Sequence, residues 1–384
     1  MDVINNVEHC DVLIVGGGPA GSSLAWALRD SGLDIMIMDR NVFPRNKVCA
    51  GWITPTVINN LQIDIEDYAK HNLIQPVHGF RISIMGKDDT EINYSGEPVS
   101  YGIRRCEFDD YLLKRTHANF KQDVFFNSIE KNSDGWIVNK TVHARLIIGA
   151  GGHFCPVARY MNRGETKSTE KIVAQEIEVK FTDEELEKCN IDNDIPELFF
   201  CDDLKGYGWI FPKGKYLNIG MGRKDTKHLA GHVQNFCDFL IEHKKIPKNI
   251  SGKFNGHAYQ LYNHSPRKIV ADAMLLVGDA AGLAYSQSGE GICPAIESGL
   301  MAAKIIEYAD GDYSEHKLEN YEFLIWERFG KRHVANKYLH LPLFLKKALA
   351  NKLLSTKWFA RHVVLDKWFL HKNTTPLNLD TLVY

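Results

Sequence analysis

Val12-Leu13-Ile14-Val15-Gly16-Gly17-Gly18-Pro19-Ala20-Gly21 decides the fold. Four apolar residues, three of them β-branched, read as a strand covered on both faces of a parallel sheet. Gly16, Gly18 and Gly21 then follow at G-x-G-x-x-G spacing. Gly16 permits the tight turn, Gly18 lets a pyrophosphate approach bare backbone, and Gly21 lets the next helix pack close to the strand. That helix is predicted over 22–29, with Leu24, Ala25 and Leu28 on one side. Gly18, Pro19 and Ala20 lead into it, where unpaired N–H groups and the positive dipole end suit phosphate. A second apolar run, Ile35-Met36-Ile37-Met38, ends in Asp39, 18 residues beyond Gly21. An acid at that strand tip can accept hydrogen bonds from ribose hydroxyls and would repel a 2′-phosphate. The stretch therefore reads as a dinucleotide-binding βαβ start.

Length and charge narrow the rest. A chain of 384 residues holds two domains or one elaborated domain. Its hydrophobic fraction of 44% and net charge of −2 give a globular protein with no nucleic-acid signature. Eight scattered cysteines form no C-x-x-C pair, and sixteen histidines form no convincing ligand pair, so no metal site is expected and His257 and His264 read as surface or core residues. Asp2 and Glu8 precede the first strand, and no apolar run reaches the roughly 20 residues of a bilayer span. A cytoplasmic protein is expected, with peripheral contact on the inner face of the membrane as an open option.

Further along, the loop 39–51 is basic and punctuated by Gly and Pro, as expected of a segment lying over a ligand. Residues 78–99 alternate Phe80, Ile82 and Ile84 with Arg81, Ser83 and Met85 and turn at Gly86, which predicts an antiparallel hairpin. Arg105 to Asp109 opens a helix, and a strand pair is expected around 123–129 and 136–138. Leu146-Ile147-Ile148-Gly149 and Met274-Leu275-Leu276-Val277-Gly278-Asp279 are two more buried strands running into glycines. Between them, 173–265 holds short strands and a helix near 227–245. Ser288-Gly289-Glu290-Gly291 leads into a helix beginning at Ile292. The fold expected is α/β (α+β overall). A Rossmann-like domain with a parallel sheet takes 1–75, 100–172 and 266–330, and a mainly antiparallel substrate domain takes 76–99 and 173–265. A helical segment, 331–384, carries ten Lys/Arg against two acids, interleaved with Leu, Phe and Trp. It suits either an anionic membrane surface or a cap that packs its apolar face on the Rossmann-like domain.

Three elements together, Gly16-x-Gly18-x-x-Gly21, Arg105-x-x-Phe108-Asp109, and Gly278-Asp279-Ala280-Ala281-Gly282 with Gly289-Glu290-Gly291-Ile292, resemble the flavoprotein class typified by p-hydroxybenzoate hydroxylase over about 10–310. The resemblance implies FAD. Arg105 would reach its phosphates, Asp279 the ribityl or pyrophosphate region, and Gly289, Gly291 and Ile292 the flavin. Asp109 reads as a charge at the start of its helix. The class carries G-A-D-G, then a serine before an arginine, where this chain has Gly149-Ala150-Gly151-Gly152 and no such aspartate.

Within that class, Tyr207-Gly208-Trp209-Ile210-Phe211-Pro212 followed after seven residues by Gly220-Met221-Gly222 is similar to the geranylgeranyl reductase family pattern Y-x-W-x-F-P-x7-G-x-G. Lys47-Val48-Cys49-Ala50-Gly51 is similar to that family's P-C-G-G, with Val48 and Ala50 differing. Tyr207, Trp209 and Phe211 share one strand face, as a wall for an apolar chain or as a sheet-core stripe. The resemblance implies reduction of C=C bonds in an isoprenoid lipid or quinone side chain. Cys49 would lie over flavin and substrate, the rival being a buried small residue. Arg40, Lys47, Ala50 and Gly51 would join the cofactor set. NAD(P)H or another donor, including a donor protein, would reduce the flavin. Two rival functions stand beside this one: a flavin monooxygenase or halogenase, whose W-x-W-x-I-P stretch matches here at Trp209 and Pro212, and a non-catalytic flavin-binding protein docked to a membrane.

Overall fold

Glu8–Val15 runs through the middle of an eight-stranded sheet. Its neighbours are Val142–Gly149 on one side and Ile35–Met38 on the other, both parallel. Met274–Leu276 extends the sheet beyond Val142–Gly149, and Asn119–Lys121 beyond Ile35–Met38, again in parallel. The structure, a computed structural model, describes residues 7–163, 171–225, 228–248, 250, 252–265, 267–332 and 342–379. The three glycine-terminated strands thus lie side by side, and their glycines fall at one end of the sheet. Val12, Leu13 and Ile14 are fully buried, in one core with Leu24, Trp136, Val138 and Ala302. The helix Pro19–Ala27 packs on Ile292–Ala309, where Gly299 abuts the Ala20 carbonyl so closely that a Cβ would stand 2.5 Å from it.

A seven-stranded sheet lies alongside, in the order Asn255–Tyr259, Ile172–Lys180, Tyr216–Arg223, Gly206–Lys213, Glu197–Phe200, Gly79–Ile84, Thr90–Asn93. It is antiparallel except where Gly79–Ile84 runs parallel to Glu197–Phe200. The early hairpin is thereby stitched onto strands more than a hundred residues later. The helix Leu229–Glu242, shorter at both ends than its expected span, covers one face through Phe236 and Leu240. The C-terminal helices Leu343–Leu354 and Ala360–Phe369 cover the other, so their apolar side packs on this sheet rather than on the Rossmann-like domain as expected. There Leu354, Val364, Leu365 and Phe369 pack with Phe80, Ile82, Trp209 and Phe211.

Two local expectations are corrected. The strand expected at 123–129 is loop; the hairpin pairs Ile129–Asn132 with Gly135–Val138 instead. Ser128 and Asn127 are held there by the Asn139 side chain, which takes the place of a ladder. Asp109 sits at the fifth residue of the helix Arg105–Lys114, beyond the first turn, and is fully buried. Its role is ion pairing rather than a helix-end charge. Residues 333–341 and 380–384 of the C-terminal segment lie outside the described residues.

Candidate active site

The turn after Glu8–Val15 shows why glycine is required. Gly16 has φ +121°, and a Cβ there would stand 2.4 Å from the Ala150 carbonyl oxygen. The helix Pro19–Ala27 then starts at Gly18 with no side-chain cap, so its first N–H groups face the open groove. Asp39 braces the turn: its carboxylate accepts the Gly17 N–H at 2.9 Å and the Asn41 N–H at 2.8 Å. A carboxylate has about four acceptor sites, so capacity for a ribose remains.

One cavity of about 560 Å³ runs from this turn into the second sheet. Gly16, Gly18, Pro19, Ala20, Asp39 and Arg40 line one end; Lys47, Cys49, Ala50, Arg105, Asp279, Gly289, Gly291 and Ile292 line the middle. Tyr207, Trp209 and Phe211 line the far end, together with Trp52, Leu198 and Phe369. Three expected cofactor residues do not line it. Gly21 lies behind the turn, where a Cβ would stand 2.0 Å from the Gly16 oxygen. Gly51 packs against Lys213 and the Ile103 carbonyl, and Gly278 against Ala20 and Ala295. Gly51 and Gly278 serve close packing instead, and Gly21 makes the close approach of helix to strand that its place in the motif predicts.

The middle of the cavity is rich in charge. Arg105 donates from Nε and Nη2 to the two oxygens of Asp109, both at 2.8 Å. Arg45 adds a contact to the same carboxylate at 3.2 Å. Its Nη1 is buried without a partner, and its Nη2 stands against Gly18. Opposite, Asp279 meets His257 at 3.5 Å, and His257 meets the Lys47 ammonium at 2.9 Å. Burial alone would raise the Asp279 carboxyl; the His257 hydrogen bond and the charges of Lys47 and Arg105 outweigh it and hold it below the usual carboxylate range. Burial brings Lys47 down to about 8. Glu290 accepts the Cys293 N–H at 2.7 Å, and burial pushes its carboxyl up to about 8.

His257, read from sequence as surface or core, belongs to this site. Arg45, Tyr259 and Phe369 also line the cavity without having been singled out. Arg45 stood in the basic loop and could have been found there. His257 carries no local motif and arrives on the edge strand of the second sheet. Phe369 comes from the C-terminal segment and stacks with Trp52 at 5.5 Å, so that segment packs as a cap whose inner face closes the cavity. Cys49 lines the same cavity, its Sγ accepting the Gly51 N–H at 3.3 Å and its carbonyl accepting from Asn218 at 3.1 Å.

The residues present fit an FAD. An uncapped helix start, a glycine turn with no room for side chains and a buried guanidinium nitrogen, Arg45 Nη1, with no hydrogen-bond partner suit the phosphates. A second helix start, at Ile292 beside Gly289 and Gly291, brings its positive dipole end to the same cavity and suits the polar edge of an isoalloxazine ring, with Glu290 holding the Cys293 N–H. Among the described residues no group of His, Cys, Asp and Glu is arranged to hold a metal.

Fold and cavity together define an FAD-dependent oxidoreductase of the p-hydroxybenzoate hydroxylase-like class. An FAD binding domain model matches residues 9–63. An uncharacterised protein of Methanosarcina barkeri is 31% identical over 309 residues, 78% of this chain and 75% of its own. A digeranylgeranylglycerophospholipid reductase of Methanosphaera stadtmanae is 28% identical over 85% of each chain. The crystal structure of a geranylgeranyl bacteriochlorophyll reductase-like protein from Thermoplasma acidophilum superposes with a TM-score of 0.75 at 22% identity, covering 98% of this chain and 100% of that one. The chain belongs to the geranylgeranyl reductase family of FAD-dependent oxidoreductases.

Proposed function

We propose that the protein reduces C=C bonds in the isoprenoid chain of a lipid or quinone. The observation that carries this reading is the continuity of the cavity. A groove built for a dinucleotide opens directly into a chamber walled by Trp52, Leu198, Tyr207, Trp209, Phe211 and Phe369, with Cys49 at the junction. Bound FAD supplies a hydride when reduced. The chain's own residues do the rest. An isolated alkene is a poor electrophile, so holding it in a near-attack position and excluding water carry much of the barrier reduction. The aromatic walls do both. Tyr207 is anchored by its hydroxyl on the Ser288 carbonyl at 2.5 Å, which ties the wall to the loop before Ile292. The second carbon needs a proton, and in this reading the Cys49 thiol, which lines the cavity, orients the substrate or relays that proton.

NAD(P)H, a quinol or a reduced donor protein supplies the electrons in this reading. The C-terminal cap presents Phe344, Leu345, Leu349 and Trp358 outward beside Lys346, Lys352, Lys357 and Arg361, which suits contact with an anionic bilayer holding the substrate. No helix among the described residues is long and apolar enough to cross a membrane. The test is anaerobic incubation of dithionite-reduced protein with geranylgeranylated glycerophospholipid or menaquinone, followed by mass spectrometry. The expected product gains two mass units per bond reduced. Unchanged prenyl compounds, with oxygen-dependent hydroxylation or halogenation of an aromatic instead, would overturn the reading. Flotation with anionic but not zwitterionic vesicles, lost on Phe344→Ser/Trp358→Ser, tests the bilayer contact.

A further inference from the structure

Asn218 lies on Tyr216–Arg223, beneath the chamber rather than in it, and is 1% exposed. Every hydrogen-bonding group of its amide is used. Its Oδ1 accepts the indole Nε1–H of Trp209 at 2.8 Å. Its Nδ2 donates to the Cys49 carbonyl at 3.1 Å and to the Glu176 carboxylate at 2.5 Å. Glu176 stands on the neighbouring strand, Ile172–Lys180. The loop is thus held at the Cys49 carbonyl by a side chain from the second sheet. Chemistry settles the orientation of the amide. An indole can only donate and a carbonyl can only accept, so a flipped amide would lose both contacts.

The grip continues past Cys49. Gly51 has φ +66° and rests on Lys213, with room for no Cβ, since one would stand 2.3 Å from Nζ. Lys213 is itself fully buried and donates to Glu178 at 2.7 Å. The Trp209 ring lies flat on Gly220, where a Cβ would stand 2.3 Å from it. Loop and ring are each pinned, and the Asn218 amide is the group that touches both.

We propose that Asn218 is a positioning residue that sets Cys49 and the Trp209 indole in one fixed relation across the junction of groove and chamber, with Glu176 keeping the amide from turning. This rests on reading Cys49 and Trp209 as the groups flanking the reactive bond. An apolar core at this point would bury no polar group and leave the loop free to drift. A 1 Å drift in the group facing the double bond is costly in rate, because alignment is where catalysis of this kind gains most.

The test uses FAD-loaded full-length protein and three variants. Asn218→Leu removes all three hydrogen bonds at similar volume. Phe236→Leu serves as a control for lost stability, because Phe236 is fully buried on the opposite face of the same sheet and does not line the cavity. Cys49→Ala reports on the reading beneath. Maleimide trapping of Cys49, followed by peptide mass spectrometry, is measured beside kcat and KM for a prenyl substrate. Asn218→Leu is expected to speed trapping of Cys49 about fivefold, the factor for losing the one hydrogen bond of ordinary net strength that it makes to the Cys49 carbonyl. It is expected to lower kcat with little change in KM, while Phe236→Leu moves neither by more than about twofold. Trapping no faster than in Phe236→Leu, or faster trapping with kcat intact, would overturn the proposal. Wild-type kcat in Cys49→Ala would instead overturn the role given to the cysteine, whatever Asn218→Leu does to trapping.

Discussion

Replacing Asp109 by Asn removes one negative charge from beneath the groove and changes almost no volume. Asp109 is fully buried, receives both nitrogens of Arg105 at 2.8 Å, and meets Arg45 at 3.2 Å. Breaking a buried ion pair by removing one partner costs about 3–5 kcal/mol, because the other charge stays behind without compensation. For 384 residues an unfolding entropy of about 2.1 cal/mol/K per residue amounts to ~0.8 kcal/mol/K, so the melting temperature of the FAD-free protein should fall by about 4–6 °C. The FAD-loaded protein should behave differently. Two guanidiniums deprived of their carboxylate sit beside the helix start where the phosphates belong, and a pyrophosphate offers them a new counter-charge. Loading with FAD should therefore recover at least about half of the deficit. Thermal unfolding followed by circular dichroism, on stripped and reconstituted samples of both proteins, measures the difference. An equal deficit with and without FAD would refute the reasoning, since Arg45 and Arg105 would then be shown not to face the phosphates.

Gly16→Ala forces a side chain into φ +121° and to 2.4 Å from the Ala150 oxygen; the purified protein should lose its flavin absorbance near-completely, and full visible absorbance would contradict the turn geometry. Glu176→Gln tests a buried carboxyl that burial pushes up to about 7, above its unfolded value of 4.5. The folded state holds that proton more tightly, so the group's contribution is most favourable below the unfolded value and is lost as pH rises through about 7. The variant should gain up to ~3 kcal/mol over wild type at pH 8, shrinking to nothing near pH 4, as read by urea unfolding at both pH values. Phe369→Ala should cost about 3–5 kcal/mol as a buried aromatic truncation and should let the chamber accept a bulkier prenyl end, measured as a shift in chain-length preference.

The first forty residues were legible because physics acts locally there. A strand covered on both sides, a turn with no space for Cβ atoms and an acid at the next strand tip each leave a mark on neighbouring positions. The same holds for Tyr207, Trp209 and Phe211, whose period of two places them on one face whatever that face meets. What that face meets was not legible. Phe369 reaches it from 158 residues beyond Phe211, and no periodicity in the basic C-terminal segment singles out that one ring. His257 was missed for the same reason: its partner Asp279 stands in the turn after Met274–Leu276, a strand of the other sheet, and a contact between a strand and a distant turn has no sequence period.

Gly21, Gly51 and Gly278 carry a related lesson. A glycine motif identifies a place where something approaches the backbone closely, but not what approaches. At Gly18 the space faces the groove, while at Gly21 it is taken by the Gly16 carbonyl and at Gly51 by the buried Lys213. The second kind fixes the loop that carries Cys49 just as firmly as the first kind admits a phosphate. Polar groups such as Asn218, Glu176 and Lys213 look in sequence like ordinary strand residues, because their meaning lies in whom they face. Here they face the back of the cysteine loop and the indole beside it. The sheet that walls the chamber therefore also holds the edge of the groove, and chamber wall and cysteine loop are joined by one set of buried hydrogen bonds.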